Sequence, residues 1–170
     1  IVSISKNQPL SSVEDAIFHG IRIFGENKVQ EAQRKFAELK QKYKNIELHL
    51  TGPLQTNKVK QALLIFDVFQ TLDREKLARE FAKNPSIIKN KSFFIQVNTG
   101  EEQQKSGIFP NLANKFIDYC KYDLKIPVEG LMCIPPENDK PDIHFKLLAN
   151  IAKKNKLQNL SMGMSGDYKI

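Results

Sequence analysis

The chain has 170 residues, 41% of them hydrophobic, with a formal net charge of +7 and two cysteines. That length suits one domain with a real core, and no apolar run approaches the about 20 residues a membrane-spanning helix needs. The excess charge comes mainly from lysines scattered among acidic residues, as in EAQRKFAELKQKYKN, which reads as a solvated surface. A nucleic-acid site would gather Arg forks and stacking aromatics into stripes, whereas attraction for phosphorylated small molecules stays compatible with the charge. Cys120 and Cys133 lack metal-ligand spacing, and a disulfide framework is not expected at this size, so the expected location is a reducing cytoplasm. The first residue is not Met and the first segment is already strand-like, so the chain is expected to begin inside a longer protein or to lack its leading residues. No signal-peptide pattern is visible.

In chain order, IVSIS (1–5) reads as a buried strand, and SSVEDAIFHG as a helix capped by Ser11 or Ser12 and ended by Gly20. IRIFGEN (21–27) is the second strand. The helix after it sets Val29, Ala32, Phe36 and Leu39 on one face. IELHLTG (46–52), DVFQTLD (67–73), KSFFIQVNTG (91–100), VEGLMCIP (128–135) and NLSMGMSG (159–166) continue the strands. NKVKQALLIF, REKLAREFAKN, PNLANKFIDYCKYD and IHFKLLANIAKKN are the helices between them, the third with Leu112, Phe116 and Tyr119 on one face. Seven strand–helix alternations argue for parallel strands joined by crossover helices. A doubly wound sheet lacks its first-turn glycine fingerprint here. Polar and small residues finish many successive strands: Lys6, Glu26, Asn27, Thr51, Gly52, Asp73, Asn98, Gly100, Ser165 and Gly166. Such a ring of strand ends favours a (β/α)8 TIM-type barrel lacking its last strand in this chain.

Lys6 follows the first strand. There it would be partly desolvated, and a neutral amine can attack a carbonyl to form a Schiff base; taken alone, the residue fits a lysine snorkelling out of the core more readily. SMGMSGD (161–167) could let backbone N–H groups approach an anion, with Ser165 as a hydroxyl donor, or could be a plain turn. Asn27 in FGEN could bond a ring substituent or serve its turn. His49 alternates with Leu48 and Leu50 and reads as a hydrogen-bonded core residue more readily than as a group lining the barrel. Lys105, in the loop after the fifth strand, is a solvated lysine or an attractor of a phosphorylated ligand. Glu101 and Glu102 look like loop residues, and nothing points to a metal.

In this order, VSISKNQP, FGENKVQEA, LHLTGPLQTNKVK, QVNTGEEQQKSGI, GLMCIPP and LSMGMSGD resemble the pyridoxal phosphate homeostasis proteins, a single-domain relative of the alanine racemase barrel. The resemblance runs through essentially the whole chain. It implies that Lys6 carries pyridoxal phosphate as a Schiff base, that Ser165 and Gly166 hold the phosphate with Met164 beside them, and that Asn27 lies near the ring. It also implies a leading helix before Ile1 and a final helix and eighth strand after Ile170, so that residues 1–170 form one cofactor-binding domain incomplete at both ends. The expected function is a non-catalytic carrier that buffers the cofactor and delivers it to apo pyridoxal-phosphate enzymes. A barrel-type enzyme such as an amino-acid racemase is the alternative, and a nucleic-acid or protein-binding module driven by the charge is a third. A monomer with no nucleic-acid or membrane partner is expected.

Overall fold

The computed structural model describes residues 1–167. All seven expected strands form: β1 (Ser3–Ile4), β2 (Ile23–Glu26), β3 (Glu47–Leu50), β4 (Val68–Leu72), β5 (Ser92–Gln96), β6 (Val128–Met132) and β7 (Asn159–Ser161). Between them lie α1 (Leu10–Phe18), α2 (Val29–Lys42), α3 (Val59–Ile65), α4 (Glu75–Ala82), α5 (Pro85–Ile88), α6 (Pro110–Asp118) and α7 (Pro141–Lys154). The strands run in sequence order from β1 to β7 with parallel pairings. A doubly wound sheet would break that order at a switch point; unbroken parallel order is that of a (β/α)8 barrel.

The chain divides into two compact units, Ile1–Phe69 and Gln70 onward. In the first, β2 and β3 stay in register from Ile23 against Glu47 to Glu26 against Leu50. Helix α2 buries Val29, Ala32, Phe36 and Leu39, the face its spacing predicts, and Phe36 packs on Phe24 of β2 with ring centroids 5.4 Å apart. Each fully buried side chain of this size contributes about 1.5–3 kcal/mol of transfer free energy. The first strand departs from expectation. Only Ser3 and Ile4 are extended, and Ile1 and Ile4 are exposed. β1 pairs with β2 and has no second strand neighbour among the described residues. Helix α1 takes Pro9 as its N-cap, with no side-chain cap from Ser11 or Ser12.

In the second unit the helix expected over REKLAREFAKN stops at Ala82. A short α5 then starts at Pro85, whose missing N–H suits a first helical position. Helix α6 buries Ala113, Phe116 and Ile117, with Cys120 buried just beyond it, while Leu112 is exposed. The core face is therefore rotated by one position from the one expected. Phe81 of α4 meets Phe93 of β5 edge-on at 4.9 Å. Ser161 Oγ of β7 donates to Gln70 Oε1 of β4 at 2.6 Å. Neighbouring strands lie about 4.8 Å apart, so three flat spacings would separate β4 and β7 by roughly 14 Å. The bond forms because the sheet of this unit curls.

Candidate functional site

In the first unit the segment after β1 is pinned on both sides of Lys6. Ser5 is buried; its amide donates to the Gly25 carbonyl at 2.9 Å and its hydroxyl to Glu26 Oε1 at 2.8 Å. The Asn7 amide donates to Glu31 Oε1 at 2.7 Å, with Asn7 at φ 60°. Lys6 itself is exposed, two residues beyond the short β1, rather than at the end of the longer buried strand the sequence suggests. Its amine has no hydrogen-bond or ion-pair partner among the described residues.

Lys35 of α2 organises this segment. Its ammonium donates to the Ser5 carbonyl at 2.6 Å, to Glu31 Oε1 at 2.7 Å and to Glu26 Oε1 at 3.0 Å, and Glu26 is fully buried. Burial pulls the Lys35 pKa down, but the hydrogen bonds to Glu31 and Glu26 outweigh it and raise it above the usual lysine value. The hydrogen bond from Lys35, then that from the Asn7 amide, hold the Glu31 carboxyl below its ordinary value. By sequence alone Glu31 and Lys35 belong to a helix face that reads as solvated surface. The i,i+4 spacing of Glu31 and Lys35, beside a glutamate ending a buried strand that needs a cation, is the signal that could have found them.

Asn27 follows β2, the strand paired to β1. Its Oδ1 accepts from Thr51 Oγ1 at 2.9 Å, and its side-chain N–H donors have no partner among the described residues. A Cβ on Gly52 would come within 2.4 Å of the Asn27 carbonyl oxygen, so the loop after β3 packs directly on Asn27 only because residue 52 is glycine.

In the second unit the chain leaves β7 through Met162–Asp167. Gly163 has φ 92°, in the left-handed region that favours glycine. The Met164 amide donates to Asp167 Oδ1, and the Asp167 amide returns to the Met164 carbonyl at 3.0 Å. Met164, Ser165 and Gly166 are exposed. The Ser165 hydroxyl has no partner among the described residues, and a Cβ on Gly166 would meet nothing within 4 Å.

The remaining candidates take quieter roles. His49 is buried, with Nε2 2.7 Å from Glu47 Oε1, a hydrogen-bonded core histidine. Lys105 pairs with Glu102 at 2.6 Å. Its loop is tied by Asn98, whose side-chain amide donates to the carbonyls of Glu102 at 2.8 Å and Lys105 at 3.3 Å. Burial pushes the Asp73 carboxyl above its usual value against the opposing pull of Arg74 and the Ser106 hydroxyl. Burial likewise pushes the Cys120 thiol up to about 12 and that of Cys133 up to about 11, so both stay protonated and unreactive. Pyridoxal phosphate asks for an accessible amine toward its aldehyde and for hydroxyl and backbone donors toward its phosphate. Within the first unit the open amine of Lys6 is of the first kind; within the second, the unpartnered Ser165 hydroxyl beside the uncrowded Gly166 is of the second kind.

Comparison with known proteins bears on the same chemistry. Residues 10–168 match the family model of the alanine racemase N-terminal domain. The pyridoxal phosphate homeostasis protein of Pasteurella multocida is 35% identical over 181 residues, covering 98% of this chain and 76% of that protein. The protein of the same name from Aquifex aeolicus is 32% identical over 182 residues, covering 100% of this chain and 78% of that protein. The solved structure of PipY from Synechococcus elongatus with PLP bound matches with a TM-score of 0.79 at 28% identity, over 99% of this chain and 82% of that one.

Proposed function

We propose that this chain, which belongs to the pyridoxal phosphate homeostasis protein family, binds pyridoxal phosphate on Lys6 and releases it again without catalysing a reaction of its own. The observation that carries the reading is the exposed, unpartnered Lys6 amine rooted between two pinned residues. The Nζ lone pair adds to the aldehyde carbon, a C=N bond forms and water leaves; attack by water or by another amine reverses the attachment, which is what buffering and delivery require. Ser165 and Gly166 hold the phosphate with Met164 beside them, and the free N–H donors of Asn27 face a polar substituent of the ring. Residues 1–170 act in this reading as one cofactor-binding domain.

The recipients are apo enzymes that use the cofactor, and the protein works as a monomer in the cytoplasm. Both cysteines are free and buried, which supports that location. The match to the alanine racemase N-terminal domain favours one competing reading, a racemase. That chemistry needs a second acid or base to deliver a proton to the opposite face of the cofactor, and an amino-acid racemisation assay decides it. Turnover in the ordinary enzyme range, roughly 1–1000 per second, would defeat the carrier reading. The carrier reading is tested by the absorbance spectrum of the purified protein before and after borohydride reduction. The Lys6→Ala protein should lose the cofactor band; unchanged cofactor content would show that Lys6 is not the attachment point.

A further inference from the structure

We propose that Lys35 is a positioning residue for Lys6: it holds the Ser5–Asn7 backbone in one conformation and so sets where the Lys6 amine stands. The inference rests on the reading of Lys6 as the cofactor lysine. A lysine stem is long and freely rotating, so the chain fixes its direction of departure chiefly through the backbone on either side. Here three ties converge on that backbone: the Ser5 carbonyl to Lys35, the Ser5 hydroxyl to Glu26 and the Asn7 amide to Glu31. Lys35 also bonds both carboxylates, so it is the common member of all three. Asn7 at φ 60° occupies the left-handed region, which L residues adopt singly and at a cost; the turn therefore needs holding from outside, and α2 supplies the hold.

A role confined to neutralising the buried Glu26 would need Lys35 but not Glu31. Glu31 is more exposed than Glu26, and its carboxylate bonds the Asn7 amide, so Glu31→Ala loosens the turn while leaving Glu26 paired. This makes it the deciding variant where Lys35→Met fails to fold.

The experiment compares the full protein with its Glu31→Ala, Lys35→Met, Lys35→Arg and Lys6→Ala variants, all checked by circular dichroism. The first readout is cofactor-free amide hydrogen exchange at Gln8, whose amide bonds the Ser5 carbonyl at 3.1 Å and has no hydrogen bond to either altered side chain. The second is the rate at which added pyridoxal phosphate loads onto Lys6, located by borohydride trapping and peptide mass. In Glu31→Ala and Lys35→Met, Gln8 exchange should rise about tenfold and Lys6 loading should slow by roughly 10- to 100-fold. Lys35→Arg, which restores the charge and donors, should recover most of the loading rate. Native Gln8 protection or a native loading rate in a folded Glu31→Ala protein overturns the inference. Loading of Lys6→Ala at the native rate instead overturns the reading of Lys6, and leaves the Gln8 result to show that the turn is held by α2 all the same.

Discussion

The two segments that carry the proposed cofactor contacts, Ser5–Asn7 in the first unit and Met162–Asp167 in the second, are built in opposite ways. The first is gripped from outside by buried charges: Glu26 is fully buried, and Lys35 bridges it to Glu31 and to the backbone. The second is held by bonds within itself, between Met164 and Asp167, and leaves its hydroxyl and its glycine open. A covalent attachment point needs a fixed direction. A phosphate, with several equivalent oxygens, needs accessible donors more than a single fixed pose. On the proposed function, the difference places rigidity where the geometry is least forgiving.

The contrast can be broken most forcefully at Lys35. Lys35→Ala leaves the buried Glu26 without its cation and should cost roughly 3–5 kcal/mol in urea unfolding, whereas Ser165→Ala should stay within about 0.5 kcal/mol. Equal losses would mean that the two segments are held alike. Next comes glycine replacement. Gly52→Ala drives a Cβ into the Asn27 backbone and should cost about 1–3 kcal/mol by overpacking. Gly166→Ala enters open space and should leave the melting temperature nearly unchanged. Ser165→Ala should nonetheless weaken cofactor retention by about tenfold, measured by dialysis and absorbance.

The smallest effect is a difference in sign with pH. Glu31 has its pKa lowered in the fold, so its stabilisation is complete above the ordinary value of 4.5 and is lost as pH falls through the depressed one. Asp73 has its pKa raised, so its contribution weakens as pH rises from 3.8 through the elevated value. For Glu31, which water partly reaches, the effect should stay below about 1 kcal/mol; for the buried Asp73 the direction alone is predicted. In pH-dependent unfolding, Glu31→Gln should flatten the acid loss and Asp73→Asn should change the slope the other way.

How far the sequence carried the fold depended on how many stripes a helix offered. In α2 the apolar positions make one stripe, and Val29, Ala32, Phe36 and Leu39 are the buried ones. In α6 two stripes overlap, through Leu112 or through Ala113, and both include Phe116, so spacing cannot separate them; packing chose Ala113, Ile117 and Cys120. The candidate residues stood out in sequence as residue types expected at strand ends; in the structure Lys6 follows β1 by two residues and Ser165 follows β7 by four. The grip on Lys6 was not legible, because Ser5, Glu26 and Lys35 meet only once β1, β2 and α2 have packed, and a charged helix face looks the same in sequence whether it meets water or a buried carboxylate.

The bond between Ser161 and Gln70 also has a kinetic consequence. The two residues lie 91 positions apart, so the contact forms only after a long loop has closed and β5 and β6 have found their places. Loop closure of this kind opposes folding until the distant groups meet, which slows topologies dominated by remote contacts. If the curl of the second unit forms late on the folding path, a Ser161→Ala protein should unfold faster while its refolding rate changes little; slowed refolding would place the contact in the transition state instead.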